Sequence, residues 1–221
     1  NNSRDLEEQK PEQILDERRI VTVMFADVAG FTAMSEKLDP EEVHEVMNRC
    51  FEGLTEAIKE QGGTIDKYVG DCIMALFGAP IAHEDDPIRA IRAGIKMREF
   101  LREFSGQLYE EQGLTLNMRV GINTGKVVAG YVGASSDKDF TVMGDGVNLA
   151  SRLEQACPIG SILISHDTYV QARGPFKYKK LDPIKVKGKE KPVQTYEVVA
   201  ENLEDDRSLD FSDSLEVEFI G

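Results

Sequence analysis

The sequence predicts an α+β fold, a ferredoxin-like βαββαβ core with additional C-terminal strands and helices. Three observations support this prediction. A near-continuous apolar, β-branched run at 20–27 is typical of a strand that is buried on both faces. Helical and strand periodicities then follow in the order strand–helix–strand–strand–helix–strand. The chain has 221 residues, 41% of them hydrophobic, which is enough for one such core with its additions.

Cap and turn residues mark the limits of the predicted elements. Asp39 suits the N-cap of the first helix and Pro40 its first position, and a Gly-Gly pair ends that helix. Gly70-Asp71 is typical of a tight hairpin. The predicted strands are 20–27, 64–69, 72–77, 116–122, 126–132, 161–164, 176–181 and 195–199, with a turn around 123–125. The predicted helices are 40–61, 86–104 and 146–156.

Two carboxylates are predicted to meet at one end of the sheet. A right-handed crossover makes the first two strands parallel, so their C-terminal ends lie together. Asp27 closes the first strand and Asp71 follows the second. Hard oxygen ligands beside glycine-bearing turns suit Mg²⁺ or Mn²⁺, and the backbone N–H groups of Gly30, Phe31 and Thr32 suit a phosphate. The alternative, two acids that merely cap turns, stays open on position alone.

The net charge of −14 excludes some classes of partner. Residues 201–221 carry half of it, with one basic residue against eight acidic ones, and the core is only mildly acidic. This argues against a general nucleic-acid or anionic-membrane binder. No apolar stretch approaches the roughly 20 residues of a membrane span, and no signal peptide is visible. Three cysteines without a CxxC pair indicate free thiols in a reducing compartment, so we expect a cytoplasmic protein.

Four segments of the chain resemble the characteristic blocks of the class III nucleotidyl cyclase catalytic domain. They are FADVAGFT, GGTIDKYVGDCIMALFGAP, MRVGINTGKVVAGYVG and FTVMGDGVNLASRLE, and the resemblance spans about 19–199. It implies the palm-like cyclase fold and conversion of ATP or GTP into the 3′,5′-cyclic nucleotide and diphosphate. It also implies two divalent ions per active site and a homodimer with shared sites, in which the segment 131–140 reaches the partner.

The predicted organisation of the chain has three parts. Residues 1–19 are a linker or leading helix, 20–200 are the catalytic domain, and 201–221 are an acidic tail or a linker to a following domain. The first residue is Asn1 and not Met, which favours a fragment of a longer protein.

The resemblance assigns a role to each matching position. Asn148 and Arg152 are also four residues apart on a predicted helix, so they share a face. There the amide can orient the ribose and the guanidinium can neutralise charge at the α-phosphorus. The general base stays open between a water associated with Asp27 and bulk solvent. The implied set is Asp27 and Asp71 for metal, Lys67 and Thr141 for the purine, Asn148 and Arg152 for catalysis, and Lys187 for the triphosphate, with Lys189 as its alternative.

The purine-selecting pair favours ATP. The ammonium of Lys67 can donate to N1 of adenine, and the hydroxyl of Thr141 can accept from its 6-amino group. Guanylate cyclases of the family typically place Glu and Cys at these positions. The Lys–Thr pair resembles the subclass of bacterial and soluble bicarbonate-responsive cyclases, which implies bicarbonate as a modulator.

We therefore predict an adenylate cyclase. The alternatives are a guanylate cyclase and a nucleotide-binding regulatory pseudo-cyclase. A diguanylate cyclase would need a GGDEF-type hairpin where this chain has YVGDC.

Overall fold

A computed structural model describes residues 17–134, 137–186 and 191–202 of the chain. The strands are β1 (Glu17–Ala29), β2 (Thr64–Val69), β3 (Cys72–Phe77), β4 (Asn117–Ala134), β5 (Asp137–Met143), β6 (Ile162–Ser165), β7 (Phe176–Lys180) and β8 (Thr195–Glu201). The helices are α1 (Phe31–Ser35), α2 (Pro40–Glu60), α3 (Asp86–Gln112), α4 (Asp145–Ala156) and α5 (His166–Ala172). Within the described residues no helix is both long and apolar enough to cross a membrane.

These strands form one sheet in the order β2-β3-β1-β4-β6-β8-β7, with β5 paired to β4 beside this path. β1 pairs antiparallel with both β3 and β4, and β2 pairs antiparallel with β3. β1 and β2 therefore run in the same direction, with β3 between them. The order β2-β3-β1-β4, with α2 and α3 in the two crossovers, is the ferredoxin-like arrangement, so the predicted fold class is confirmed.

Packing on both faces explains why β1 is a continuous hydrophobic run. Met24, Ala26 and Val28 belong to the larger core, which they share with α2 and α3. Val21 and Val23 alternate with them along the strand and belong to a second cluster, which includes residues of β4, β5 and α4. Burial on both faces removes the polar–apolar alternation that marks a half-exposed strand.

The two long helices are bounded by different means. α2 begins as predicted, where the backbone N–H of Asp39 donates to the carboxylate of Glu42 over 3.1 Å. α3 continues past its predicted end near 104, because its buried stripe extends through Leu108. Gly113 then closes α3 with a left-handed φ of 68°. Core packing therefore carries α3 past its predicted end, and the local stop signal at Gly113 ends it.

The predicted turn at 123–125 is wrong, because β4 runs unbroken through it. The pairing of β4 with β1 continues across this stretch, where Thr124 lies opposite Thr22 and their hydroxyls hydrogen bond over 2.9 Å. These buried contacts outweigh the local turn tendency of Asn-Thr-Gly. The chain reverses after Ala134 instead, and β5 pairs back along β4.

Sequence patterns missed two short helices and the strand β5, and they placed the start of β1 too late. α1 and α5 were not predicted, although Ser165 caps α5 by accepting from the backbone N–H of Thr168 over 3.3 Å. β1 starts at Glu17, inside the segment 1–19 that was expected to be a linker or helix. The remainder of that segment and nearly all of 201–221 lie outside the described residues, so the predicted roles of both segments stay predictions.

α4 crosses β4 closely at Gly121, which sets the position of the helix that carries Asn148 and Arg152. A Cβ at Gly121 would lie 2.5 Å from the carbonyl oxygen of Ala150 and 2.8 Å from the Cα of Glu154. Both are backbone atoms of α4, so no side-chain rotation could relieve the clash.

Gly121→Ala is expected to destabilise the domain by about 1–3 kcal/mol or more, because α4 must move away from the sheet. Urea denaturation measures the change. Gly106→Ala is the control, since Gly106 lies on the exposed face of α3 with no atom within 4 Å of the added Cβ. Alanine there should raise the free energy of unfolding by about 0.5–1 kcal/mol. A Gly121→Ala protein as stable as wild type would contradict the close crossing.

Candidate active site

Asp27 and Asp71 lie next to each other at one end of the sheet. Asp27 is near the C-terminal end of β1 and pairs in register with Cys72, the first residue of β3. The backbone N–H of Val28 donates to the carbonyl oxygen of Asp71 over 3.0 Å, which ties the β2–β3 turn to the end of β1. Gly70, with a φ of 63°, supplies the left-handed residue of that turn. The topology thus brings the two acids together as their strand positions predicted.

Two residues that sequence reasoning missed extend this group. Arg119 lies opposite Asp27 in the β1–β4 register, and its guanidinium donates to the Asp27 carboxylate over 2.5 Å. The same nitrogen lies 3.3 Å from a carboxylate oxygen of Glu154 on α4. The sequence signal was only that Arg119 stands in a predicted strand within the third cyclase-like block. We call Asp27, Asp71, Arg119 and Glu154 the sheet-end cluster.

The sheet-end cluster carries an excess of negative charge. Burial raises the pKa of Glu154, and the charges of Asp27 and Asp71 raise it further while Arg119 opposes them. Burial, followed by the charges of Glu154 and Asp27, raises the pKa of Cys72 to about 12. In both groups the neighbouring carboxylates add to the effect of burial on the pKa, and a bound cation would offset this local excess of negative charge. The Cys72 thiol stays neutral near pH 7.

The donor set fits a hard divalent ion. Asp27 and Asp71 offer carboxylate oxygens, and in the part of the chain that the structure describes no three His, Cys, Asp or Glu side chains form a group able to hold a metal. Mg²⁺ is commonly held by one or two carboxylates, with water and substrate phosphates in the other positions. An open site of this kind suits a divalent ion that binds together with a phosphate-bearing ligand.

The turn after β1 leads from Asp27 directly into α1. Gly30 has a left-handed φ of 105°, and a Cβ there would lie 2.7 Å from the carbonyl oxygen of Thr115. The turn therefore requires glycine on both counts. The backbone of Gly30, Phe31 and Thr32 begins the helix beside the carboxylates, and its contact with a phosphate stays a prediction.

Lys67 and Thr141 come together through a third residue. Nζ of Lys67 lies 3.2 Å from Oδ2 of Asp66, and the hydroxyl of Thr141 donates to the same oxygen over 3.0 Å. The Lys67 side chain is 48% exposed, whereas that of Asp66 is fully buried. The sequence predicted that Lys67 and Thr141 act as a pair, but it did not identify the carboxylate that joins them.

Asn148 and Arg152 lie on the exposed face of α4. The guanidinium of Arg152 donates to the side chain of Gln155 over 3.0 Å on the same helix. Among the residues that the structure describes, no hydrogen bond or ion pair joins Asn148 or Arg152 to the sheet-end cluster. Lys187 and its alternative Lys189 lie outside the described residues, so their role stays a prediction. The buried face of α4 consists of Gly146, Leu149, Ala150, Leu153 and Glu154.

The model of a family described as the adenylate and guanylate cyclase catalytic domain matches residues 15–200. The chain belongs to this family. The membership predicted from the four sequence blocks is thereby confirmed. Class III cyclases work with divalent metal ions, which agrees with the donor set of the sheet-end cluster in this cyclase domain.

Proteins similar to this cyclase domain include both adenylate and guanylate cyclases. The adenylate cyclase of Anabaena cylindrica is 37% identical over 194 residues, which cover 82% of this chain and 37% of that protein. The crystal structure of the adenylyl cyclase CyaB from P. aeruginosa matches with a TM-score of 0.82 and 40% identity, over 86% of this chain and 98% of that one. The guanylyl cyclase Cya2 matches with a TM-score of 0.77 and 37% identity, over 86% and 97%. The chain spans 37% or less of the length of the first three curated relatives it matches.

Proposed function

We propose that this cyclase domain is an adenylate cyclase, located in the cytoplasm, that converts ATP into 3′,5′-cyclic AMP and diphosphate. The observation that carries the proposal is the contact of Lys67 and Thr141 with the shared carboxylate of Asp66. That contact places an ammonium donor and a hydroxyl oxygen next to each other, as the edge of adenine requires. Similarity to proteins named adenylate cyclase supports the same substrate.

Adenine and guanine present opposite hydrogen-bonding groups at this edge. Adenine has an acceptor at N1 and a donor at its 6-amino group, whereas guanine has a donor at N1 and an acceptor at O6. The hydroxyl proton of Thr141 is directed to Asp66, so its oxygen is left to accept from the 6-amino group. Lys67 can only donate, which suits N1 of adenine. With guanine both contacts would be mismatched.

The sheet-end cluster is the proposed site of the triphosphate. Asp27 and Asp71 would hold two Mg²⁺ or Mn²⁺ ions per active site, and such ions stabilise charge on phosphate oxygens. Arg119 adds a positive charge beside Asp27. The backbone N–H groups of 30–32 and the ammonium of Lys187 add further donors for the phosphates.

The proposed reaction is an in-line displacement at the α-phosphorus. The ribose 3′-oxygen attacks, the bond to the diphosphate breaks, and the hydroxyl proton passes to a water near Asp27 or to bulk solvent. The amide of Asn148 orients the ribose, and the guanidinium of Arg152 neutralises charge that develops on the α-phosphoryl oxygens. Positioning and charge stabilisation provide most of the catalysis in reactions of this type.

We further propose a homodimer with two equivalent shared sites. Asn148 and Arg152 point away from the core on α4, so a partner chain can receive them. The β4–β5 hairpin leaves the apolar side chains of Tyr131, Val132 and Met143 exposed, which suits a surface that reaches a partner.

The test is to measure cyclic nucleotide formation by the purified protein from ATP and from GTP. Each substrate is supplied with Mg²⁺ or Mn²⁺, with and without bicarbonate, the proposed modulator. Cyclic AMP is expected as the main product. Equal or faster formation of cyclic GMP would favour a guanylate cyclase, which the similarity to Cya2 makes the second candidate. Binding of nucleotide with neither product formed would indicate a regulatory pseudo-cyclase.

Lys67→Glu combined with Thr141→Cys is expected to lower the ATP-to-GTP ratio of kcat/KM about tenfold or more, because both adenine contacts are lost. The ratio is the readout, since general damage to the protein lowers both rates together. Lys177→Glu is the control, a charge reversal at an exposed position of the distant strand β7. An unchanged ratio in the double variant would show that Lys67 and Thr141 do not select between adenine and guanine.

A further inference from the structure

Asp66 is a buried carboxylate for which the family resemblance gave no role. Its side chain is 0% exposed although β2 is the edge strand of the sheet. Oδ2 takes two partners, the hydroxyl of Thr141 and the ammonium of Lys67, at 3.0 and 3.2 Å. Oδ1 is buried and accepts no hydrogen bond within the described residues. Burying a carboxylate in this way is costly, and an apolar side chain would fill the position at lower cost.

A β-bulge explains how Asp66 reaches both partners. Ile65 pairs with Ala75 and Lys67 pairs with Met74, so Asp66 is the extra residue of β2. In a regular strand, neighbouring side chains point to opposite faces. A bulge redirects them, which allows Asp66 and Lys67 to meet instead.

We infer that Asp66 is a positioning residue that sets the purine preference of the site, an inference that rests on the proposed adenylate cyclase function. A threonine hydroxyl has one proton and can either donate or accept towards a ligand. Because Asp66 takes the proton of Thr141, the hydroxyl can only accept, which selects the amino group of adenine. Without Asp66 the hydroxyl is free to rotate and donate to O6 of guanine. The ion pair also holds Lys67 beside the same edge of the base.

Asp66→Leu tests the inference, because leucine fills a similar volume and accepts no hydrogen bond. The ATP-to-GTP ratio of kcat/KM is expected to fall about tenfold, the scale of one lost hydrogen bond to a charged group. The KM for ATP should rise more than kcat falls, because the base is bound alike in the ground and transition states. Asp66→Asn keeps an acceptor oxygen for Thr141 and should retain most of the preference.

A matched control distinguishes a positioning role of Asp66 from the general loss of stability that follows removal of any buried carboxylate. Asp86 is also a buried carboxylate; it accepts from the backbone N–H of His83 over 2.9 Å and pairs with Arg89, at the start of α3. Asp86→Asn should lower the melting temperature without moving the ATP-to-GTP ratio. If Asp66→Leu does not fold, the same ratio is measured on Asp66→Ala, which removes the acceptor without adding bulk.

Thr141→Val, made in parallel, distinguishes failure of the inference from failure of the proposed function. If Thr141→Val changes the ratio and Asp66→Leu does not, Asp66 has no positioning role, while the proposed contacts of Lys67 and Thr141 with adenine stand. If neither residue affects the ratio, the proposed base contacts are wrong and the inference fails with them. Equal losses with both nucleotides at an unchanged ratio would make Asp66 merely structural and would also overturn the inference.

Discussion

Asp71→Ala is expected to abolish cyclic nucleotide formation while leaving the domain folded. The contact that Asp71 makes with β1 uses its backbone carbonyl, which accepts from Val28 and is kept in the variant. Only the carboxylate is lost, and with it one of the two oxygen donors proposed for the divalent ions. Loss of charge stabilisation on this scale corresponds to a fall in kcat/KM of roughly 10³-fold or more.

The measurement is cyclic AMP formation at saturating Mg²⁺ and Mn²⁺, together with thermal denaturation. Metal-dependent binding of ATP should be lost in the same variant. Glu103→Ala is the control, since Glu103 is an exposed acid on α3, and it should keep full activity. Near-normal activity of Asp71→Ala would contradict the metal role of Asp71. If Asp71→Ala proves unstable, Asp71→Asn gives the same comparison with less change in shape.

The meeting of Asp27 and Asp71 could be predicted from sequence because it depends only on topology. The apolar run of β1 and the helical spacing of α2 predict a crossover, and the handedness of crossovers then aligns the ends of β1 and β2. No side-chain detail is needed for that conclusion. The ferredoxin-like core could be predicted on similar grounds, from the order of apolar runs and helical spacings along the chain, although β4 was not predicted as one strand.

The side-chain partners of Asp27 and Lys67 could not be predicted, because these contacts depend on strand register and on its irregularities. Arg119 meets Asp27 only because the two are opposite in the β1–β4 pairing. Asp66 meets Lys67 only because a bulge interrupts β2, and bulges leave no reliable mark in a single sequence. The predicted turn at 123–125 failed on similar grounds, since long-range pairing with β1 overrode a local turn tendency.

In the proposed dimer each active site is divided between two chains, and this division predicts a second large loss of activity. Arg152 lies on the exposed face of α4, and within the described residues it makes no hydrogen bond or ion pair with the sheet-end cluster. In the proposed dimer each site takes its metal ligands from one chain and Arg152 from the other. Arg152→Ala alone should lose about 10²–10³-fold in kcat, the scale for removing one transition-state charge contact.

Mixing Asp71→Ala with Arg152→Ala is then expected to restore activity that neither protein has alone. In a heterodimer one site carries both lesions and the other carries neither. With random exchange, half of the dimers are heterodimers with one intact site of two, so about a quarter of wild-type activity should return. Asp71→Ala mixed with Asp27→Ala is the control and should stay inactive, because both lesions affect the metal ligands that each chain supplies to its own site. If subunits exchange and the Asp71→Ala and Arg152→Ala mixture remains as inactive as its parts, the shared-site proposal is wrong and each site is built within one chain.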